Sequence, residues 1–192
     1  MGEILPRLRD LRDIGFNIFS YDYQGYGTSQ GRPSVAGAYQ DVNAAYEYLT
    51  QRLGIPANKI IVYGYSVGGG PSVDLASRQP VAGLVIESSF TTAFRVVTGI
   101  PVYPFDKFPN IDNIKNVNCP VLVIHGNADR VIPFYHGQQL FAMVDQPKLS
   151  FWVNGAGHLN LLEVAGEEYV KVMTEFIRLV QYNQNSKLIV SD

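Results

Sequence analysis

The stretch 60-IIVYGYSVGGG-70 places a Gly-x-Ser-x-Gly pentapeptide directly after an apolar run and before a segment of small residues. The apolar run predicts a buried strand over Lys59 to Gly64, and the residues that follow predict a helix over Val67 to Arg78. In this setting the pentapeptide is typical of a nucleophile elbow, a strained strand-to-helix turn that holds a serine hydroxyl clear of the sheet. Ser66 is therefore the candidate nucleophile.

Two other interpretations of the glycines around Ser66 are an ordinary tight turn and a nucleotide-binding loop. In an elbow, small residues at Gly64 and Gly68 let neighbouring backbone pass closely. The alternative is that Ser66 is simply a small residue in a tight strand-to-helix turn. The glycines from 64 to 70 do not form G-x-G-x-x-G, and no Gly-Lys-Ser/Thr follows them. Dinucleotide and nucleotide binding are therefore not indicated.

Composition and charge limit the class of protein. The chain has 192 residues, of which 46% are apolar and 17% charged, and this favours one globular α/β domain. A formal net charge of -2 gives no reason to expect a nucleic acid partner. Cys119 is the only cysteine, which excludes an internal disulfide and a cysteine-based metal site. Met1 to Asp13 is neither a secretory signal nor a membrane span, so we expect a cytoplasmic protein with no integral membrane segment.

Apolar runs alternate with helical patterns along most of the chain. Such an alternation predicts a mostly parallel sheet with helices on both faces. The predicted strands are Phe16 to Tyr21, Lys59 to Gly64, Ala82 to Glu87, Val121 to His125 and Lys148 to Val153. The predicted helices cover Ile4 to Leu11, a segment starting near Ser34, Val67 to Arg78, Phe134 to Met143 and Leu161 to Val180.

Two further candidate catalytic residues follow predicted strands as Ser66 does. Asp129 and His158 lie beyond the carboxyl ends of two later strands, so all three side chains should meet at one edge of the sheet. His158 would take the proton from Ser66, while Asp129 would orient the imidazole. The backbone N–H of Val67 would stabilise the oxyanion at the start of the helix. This chemistry requires no cofactor and no metal ion, and we expect neither.

Each of these assignments has an alternative. Asp129 also suits a turn residue that accepts backbone N–H groups. Glu87 ends another strand and is a second candidate for the acid. His125 and His136 are interpreted as packing or solvent-exposed residues. Tyr23 and Tyr26, near the glycines of the first loop, receive no role.

Several motifs together resemble those of the α/β-hydrolases. They are Tyr21 to Gly27 (YDYQGYG), Gly64 to Gly68 (GYSVG), His125 to Asp129 (HGNAD) and Gly155 to His158 (GAGH). The run Phe105 to Asp112 (FDKFPNID) is similar to the α/β-hydrolase-domain depalmitoylases of eukaryotes and their bacterial relatives. The resemblance covers nearly all of Ile4 to Val180. It implies Ser66 as nucleophile, Asp129 rather than Glu87 as acid, His158 as base and Val67 as an oxyanion donor.

The chain departs from this family at its start. Members normally begin with three further strands, and the loop after the third donates a second oxyanion N–H. The fold is therefore expected to be an N-terminally incomplete α/β-hydrolase. We expect the strand at Phe16 to Tyr21 either to pair directly with the elbow strand or to leave a space that another chain fills, because unpaired buried backbone is costly. An exposed sheet edge would favour a homo-oligomer.

The predicted organisation is a core over residues 1–182, with a cap-like insert at about 89–118, followed by a polar tail over 183–192. The insert carries five aromatic residues that either bind an acyl chain or pack on the core: Phe90, Phe94, Tyr103, Phe105 and Phe108. The predicted function is a serine hydrolase that cleaves a small-molecule or acyl ester, thioester or amide. The alternative is a binding module, or a truncated product with little turnover.

Overall fold

A parallel sheet forms the centre of the protein, and the computed structural model describes residues 4–93 and 107–189, with side chains as far as residue 186. The strands of the described part are β1 (Ile61–Tyr65), β2 (Gly83–Glu87), β3 (Val121–Gly126) and β4 (Lys148–Val153). They lie side by side in the order β1-β2-β3-β4, and each neighbouring pair is parallel. Their carboxyl ends therefore open at one edge.

Helices and short turns connect these strands. The helices whose bounds lie within the described residues are α1 (Leu5–Asp13), α2 (Val35–Glu47), α3 (Gly69–Arg78), α4 (Asn110–Asn113), α5 (Tyr135–Ala142), α6 (Leu161–Ala165) and α7 (Glu167–Ile189). Ser34 starts α2 as the sequence predicts, because its hydroxyl accepts a hydrogen bond from the Gly37 N–H at 2.9 Å. A π-turn over Tyr48–Arg52 continues α2.

Both faces of the sheet are covered, which confirms the predicted fold class. Alternate strand residues point to opposite faces. On one face Val85, Leu122 and Ile124 pack with α1, α6 and α7. On the other face the main strand residues are Leu84, Ile86, Val121 and Val123, which pack with α3 and α5. The predicted helix–strand alternation from residue 59 to the end of β4 is confirmed, with boundaries that shift by at most two residues.

The predicted strand at Phe16 to Tyr21 is wrong. These residues have no regular secondary structure, and residues 17 to 20 are exposed. Direct pairing with the elbow strand is likewise wrong, because β1 pairs with β2 and is the edge strand of the described sheet. An apolar run can form a strand only where a neighbouring strand accepts and donates its backbone hydrogen bonds.

A cavity of about 390 Å³ lies between the irregular segment 16–23 and β1. Residues 16–23 line one side, and Ile61, Val62 and Tyr63 line the other. Part of the wall comes from α1 and α2. The space where the two segments were expected to pair is therefore open, and its filling by another chain stays a prediction.

The C-terminal end also differs from the prediction. The helical pattern from Leu161 is broken at Gly166, which has a positive φ of 50°, so that α6 and α7 are separate helices. α7 then continues to Ile189, so the predicted polar tail is helical up to that residue.

A buried ion pair attaches α1 to the sheet. Arg7 Nε donates to Glu87 Oε1 at 2.7 Å, and both side chains are almost fully buried. Burial alone would lower the pKa of Arg7, but the charge of Glu87 raises it above its ordinary value. Tyr63 donates to the second oxygen of Glu87, and the Tyr169 hydroxyl lies 2.9 Å from that of Tyr63. Burial together with Glu87 raises the pKa of both tyrosines, so each remains a neutral donor.

Replacing Arg7 by methionine tests the importance of this pair. The change leaves the Glu87 carboxylate buried without the cation that contacts it, and such a loss typically costs about 3–5 kcal/mol. We expect the free energy of unfolding, measured by urea denaturation, to fall by this amount. Arg12→Met is the matched control on the same helix, because Arg12 pairs with Asp13 in solvent and such pairs contribute at most about 1 kcal/mol. Equal effects of the two changes would contradict this role of Glu87.

The open edge of β1 generates a second prediction. Edge strands with free backbone groups pair readily with other chains. We expect the protein to self-associate with rising concentration, as measured by sedimentation velocity. Ile18→Lys places a charge on the opposite wall of the cavity and should shift the protein towards monomer. A wild-type monomer at every concentration would contradict the prediction.

Candidate active site

Ser66 lies at a sharp turn between β1 and α3. Its φ of 52° is in the left-handed region that non-glycine residues rarely adopt. Residues Ser66–Gly68 form a single 3₁₀ turn, and α3 begins directly after them. The Ser89 hydroxyl donates to the Ser66 carbonyl at 2.9 Å and holds the turn from the end of β2. This geometry is that of a nucleophile elbow.

The glycines that permit this turn are not quite the predicted ones. A Cβ on Gly64 would lie 2.7 Å from the Gly69 Cα, so close backbone passage at Gly64 is confirmed. A Cβ on Gly69 would lie 2.1 Å from Ser89 Oγ. A Cβ on Gly68 would have nothing within 4 Å, so the prediction for Gly68 is wrong. The close contact belongs to Gly69, because that residue faces the end of β2.

Asp129 follows β3 and has both carboxylate oxygens engaged. Oδ1 accepts from the backbone N–H groups of Val131 and Ile132, each at 2.8 Å. Oδ2 accepts from Nδ1 of His158, also at 2.8 Å. Asp129 therefore fulfils both interpretations at once, since it organises its own turn and contacts the candidate base.

The protonation state of Asp129 follows from these bonds. Burial by itself would raise the pKa of Asp129, but hydrogen bonds from two histidines and a backbone N–H lower it well below the usual value. The carboxylate is therefore ionised throughout the physiological range. Its contribution to stability is complete above the ordinary carboxyl range and is lost as pH falls through the lowered pKa.

His158 joins the acid to the serine. Because the ionised Asp129 can only accept, Nδ1 of His158 carries the proton and Nε2 is free to accept. Nε2 lies 3.0 Å from Ser66 Oγ. The structure thus brings Ser66, His158 and Asp129 into one hydrogen-bonded chain. Asp129 and His158 are both buried. Such a chain can move a proton from the hydroxyl to the imidazole.

The loops that carry the acid and the base are bonded to each other. Asn127 Nδ2 donates to Asn154 Oδ1 at 2.8 Å, and Asn127 Oδ1 accepts from the Gly155 N–H at 2.7 Å. The Ala128 N–H donates to the Ala156 carbonyl at 2.9 Å. Asn127 therefore fixes the distance between the two loops, a role that sequence interpretation missed. Its presence within the HGNAD motif was the available signal.

His125 is a packing residue, which is one of its two sequence interpretations, and it also contacts the candidate acid. It is fully buried, and its Nε2 donates to the Ile132 carbonyl at 2.8 Å. The same nitrogen lies 3.5 Å from Asp129 Oδ2. His125 is thus a packing residue that also supports the candidate acid. His136 is buried as well, with Nδ1 at 3.0 Å from the Thr91 hydroxyl.

Glu87, the other candidate acid, is committed elsewhere. Its carboxylate is held by Arg7 and Tyr63, as described above, and the structure pairs His158 with Asp129 instead. Glu87 is the last residue of β2, whereas Asp129 lies in the loop that follows β3, and the side-chain contacts of the two acids differ accordingly.

Val67 follows Ser66 in the turn of the elbow and is exposed. Its backbone N–H stays a predicted oxyanion donor.

Tyr26 is exposed in the first loop, whereas Tyr23 packs edge-on against Tyr21.

Two of the five aromatic residues in the predicted cap are described, and both pack on the core. Phe90 and Phe108 are buried with Ile132, next to residues of α2. Their rings lie 6.2 Å apart, and Asn110 donates to the Phe90 carbonyl at 2.9 Å. Packing therefore accounts for these two residues. The others, Phe94, Tyr103 and Phe105, lie outside the described residues.

The described part of the chain holds neither a candidate metal site nor a candidate membrane-spanning helix. Within residues 4–93 and 107–189 no cluster of three His, Cys, Asp or Glu side chains suits a metal ion. None of the helices in these ranges is long and apolar enough to cross a membrane.

Comparison with known families identifies the chain. The Hydrolase_4 family model, described as serine aminopeptidase S33, matches residues 2–103, which is more than half of the chain. The chain belongs to this family. The matched region includes Ser66 and ends before Asp129 and His158.

Named relatives place the chain among α/β-hydrolase domain proteins. It is 45% identical over 166 residues to α/β-hydrolase domain-containing protein 17B of Homo sapiens and of Xenopus laevis. It is 43% identical to protein 17C of Mus musculus. The alignments cover 85% of this chain, 57% of the 17B proteins and 51% of the 17C protein. The chain thus spans little more than half the length of these relatives, and the predicted resemblance is confirmed.

Solved structures support the fold. An esterase from Pyrococcus furiosus superposes with a TM-score of 0.77 at 19% identity, over 92% of this chain and 76% of the esterase. An α/β-hydrolase from Vibrio vulnificus gives a TM-score of 0.75 at 22% identity, over 90% of this chain and 68% of that chain. The fold is therefore that of the α/β-hydrolases.

The two adjacent glycines at the start of α3 provide a matched test of the elbow. Gly69→Ala drives a methyl group into Ser89, and overpacking of this kind costs about 1–3 kcal/mol. Gly68→Ala meets open space at a helical φ of -60°, so it should be neutral or stabilise by up to about 1 kcal/mol. Thermal unfolding of both variants measures the difference. Equal stability of the two would contradict the close approach at Gly69.

Proposed function

We propose that the protein is a serine hydrolase that cleaves an ester, thioester or amide by acyl transfer. The observation that carries the proposal is the hydrogen-bonded chain from Ser66 through His158 to Asp129. Membership of a hydrolase family supports it independently. Among the reaction types we favour a carboxylesterase or acyl-thioesterase, and a peptidase is a further version, since the family model is described as an aminopeptidase.

The proposed reaction has two halves. Ser66 Oγ attacks the substrate carbonyl while its proton passes to Nε2 of His158, and the tetrahedral intermediate collapses as His158 protonates the leaving group. Water then attacks the acyl-enzyme, His158 takes a proton from that water, and the proton returns to Ser66 as the acid product leaves. Asp129 stays ionised and stabilises the imidazolium in both halves.

The backbone N–H of Val67 is the proposed donor to the oxyanion in both halves. A second donor is expected from a segment that precedes the elbow strand in the family. Loss of one donor typically lowers kcat about 10²–10³-fold. Residues 1–192 joined to such a segment should therefore turn over acyl esters faster than residues 1–192 alone. Equal rates would show that the described chain needs no further donor.

The proposed substrate is a small molecule or an acyl compound, and the proposed reaction involves no nucleic acid and no cofactor. We propose a cytoplasmic location, because a single cysteine is compatible with a reducing compartment.

A fluorophosphonate probe tests the proposed nucleophile directly. The probe should phosphonylate the wild type at Ser66, and Ser66→Ala should abolish labelling, because the reagent reacts with an activated serine. His158→Ala should also abolish it, and Asp129→Asn should lower kcat roughly 10⁴-fold, as in other Ser-His-Asp triads. Mass spectrometry of the labelled peptide identifies the site.

Ser77→Ala is the matched control for this experiment. The Ser77 hydroxyl donates to the Asp74 carbonyl of its own helix, away from the triad, so the variant should label as the wild type does. A folded wild type that takes up no label would instead favour the alternative, a binding module on this fold.

A further inference from the structure

Tyr65, the last residue of β1, contacts the candidate base in two ways. Its hydroxyl donates to the backbone carbonyl of His158 at 3.0 Å. Its ring stacks on the imidazole, with the ring centroids 5.5 Å apart and the planes inclined by 29°. One side chain therefore contacts both the main chain and the ring of His158.

The base depends on such contacts because its loop is irregular. Residues 154–160 connect β4 to α6 without a helix or strand. Asn127 fixes the beginning of the loop at Gly155, and the Asn160 side chain accepts from the Gly157 N–H at 2.7 Å. The Tyr65 hydroxyl reaches the loop between these points, at His158 itself. It comes from a strand, which is the more rigid element.

Tyr65 is in turn held by the buried ion pair of Arg7 and Glu87. The guanidinium carbon of Arg7 lies 4.0 Å from the centroid of the Tyr65 ring, a cation–π contact. Arg7 cannot move freely, because Glu87 at the end of β2 binds it. A continuous set of contacts thus runs from the sheet through Arg7 and Tyr65 to His158.

We propose that Tyr65 is a positioning residue that sets the place and tilt of the His158 imidazole so that Nε2 faces Ser66. The inference rests on the proposed function, since it assigns a role in the same reaction. Misplacement of a catalytic group by about 1 Å can lower a rate about 10²-fold. Tyr65 is one residue from Ser66, so the nucleophile and the support of its base share one strand end.

Two substitutions separate the contributions of the hydroxyl and the ring. Tyr65→Phe removes only the bond to the His158 carbonyl, and loss of one neutral hydrogen bond corresponds to a rate decrease of about 3–10-fold. Tyr65→Leu also removes the stacked ring, and we expect a decrease of about 10²-fold. Both decreases should fall on kcat with KM unchanged, because Tyr65 is proposed to hold the base and not the substrate.

The measurements are the rate of phosphonylation of Ser66 and the steady-state constants for an acyl ester, with the full chain. Tyr46→Phe is the matched control, since the Tyr46 hydroxyl also donates to a backbone carbonyl, that of Pro80, at 2.8 Å. This variant should label at the wild-type rate. A proton NMR signal from the His158 Nδ1–H bonded to Asp129 gives a readout without turnover, and it should broaden or disappear in Tyr65→Leu.

The outcomes distinguish the two proposals. No labelling of the folded wild type would refute the proposed function. Normal labelling of the wild type together with unchanged rates and an unchanged NMR signal in both Tyr65 variants would refute the positioning role. A decrease that merely follows loss of stability, and that Tyr46→Phe reproduces, would also refute it. A selective decrease in kcat, graded from Phe to Leu, supports the role.

Discussion

The close approach of α3 to the sheet is the constraint on which the site depends. Only glycine fits at 64 and 69, where a side chain would collide with backbone or with Ser89. This contact forces the chain to turn within one residue, and the left-handed φ of Ser66 results. Strain of this kind persists only where the surroundings determine the backbone completely. The free energy gained by burying the sheet thus keeps the Ser66 backbone in an unfavourable conformation.

The parallel sheet then decides which side chains can meet. Its strands are in a register that ends them at one edge, so the loops after β1, β3 and β4 are neighbours although residues 66 and 158 are far apart in sequence. Bonds between the loops at Asn127 and Ala128 fix their spacing. Two negative charges share this edge, and each has its own partners, which keeps their roles distinct. Glu87 is neutralised by Arg7, whereas Asp129 is left to the histidine.

Sequence patterns predicted the strands and helices from residue 59 onwards because each apolar run there has a neighbour to pair with. The run from Phe16 to Tyr21 is also largely apolar, yet it has no regular secondary structure and lies beside a cavity. Hydrophobicity reports a tendency to be buried, but a strand also needs a partner, and the pattern contains no information about that partner. The helical residues 183–189 show the reverse case, in which a polar segment continues a helix that packing had already begun.

The sequence by itself determined the chemistry that is available: a serine in an elbow motif, an aspartate and a histidine after later strands, and their order along the chain. It also determined the fold class, since local apolar periodicity is a property of neighbouring residues. Only the tertiary structure showed which contacts hold Asp129 and Glu87 in separate roles, moved the close contact from Gly68 to Gly69, and placed Tyr65 against His158. These are contacts between residues distant in sequence, or differences of one position in a turn. They depend on how the elements pack, which no local pattern specifies.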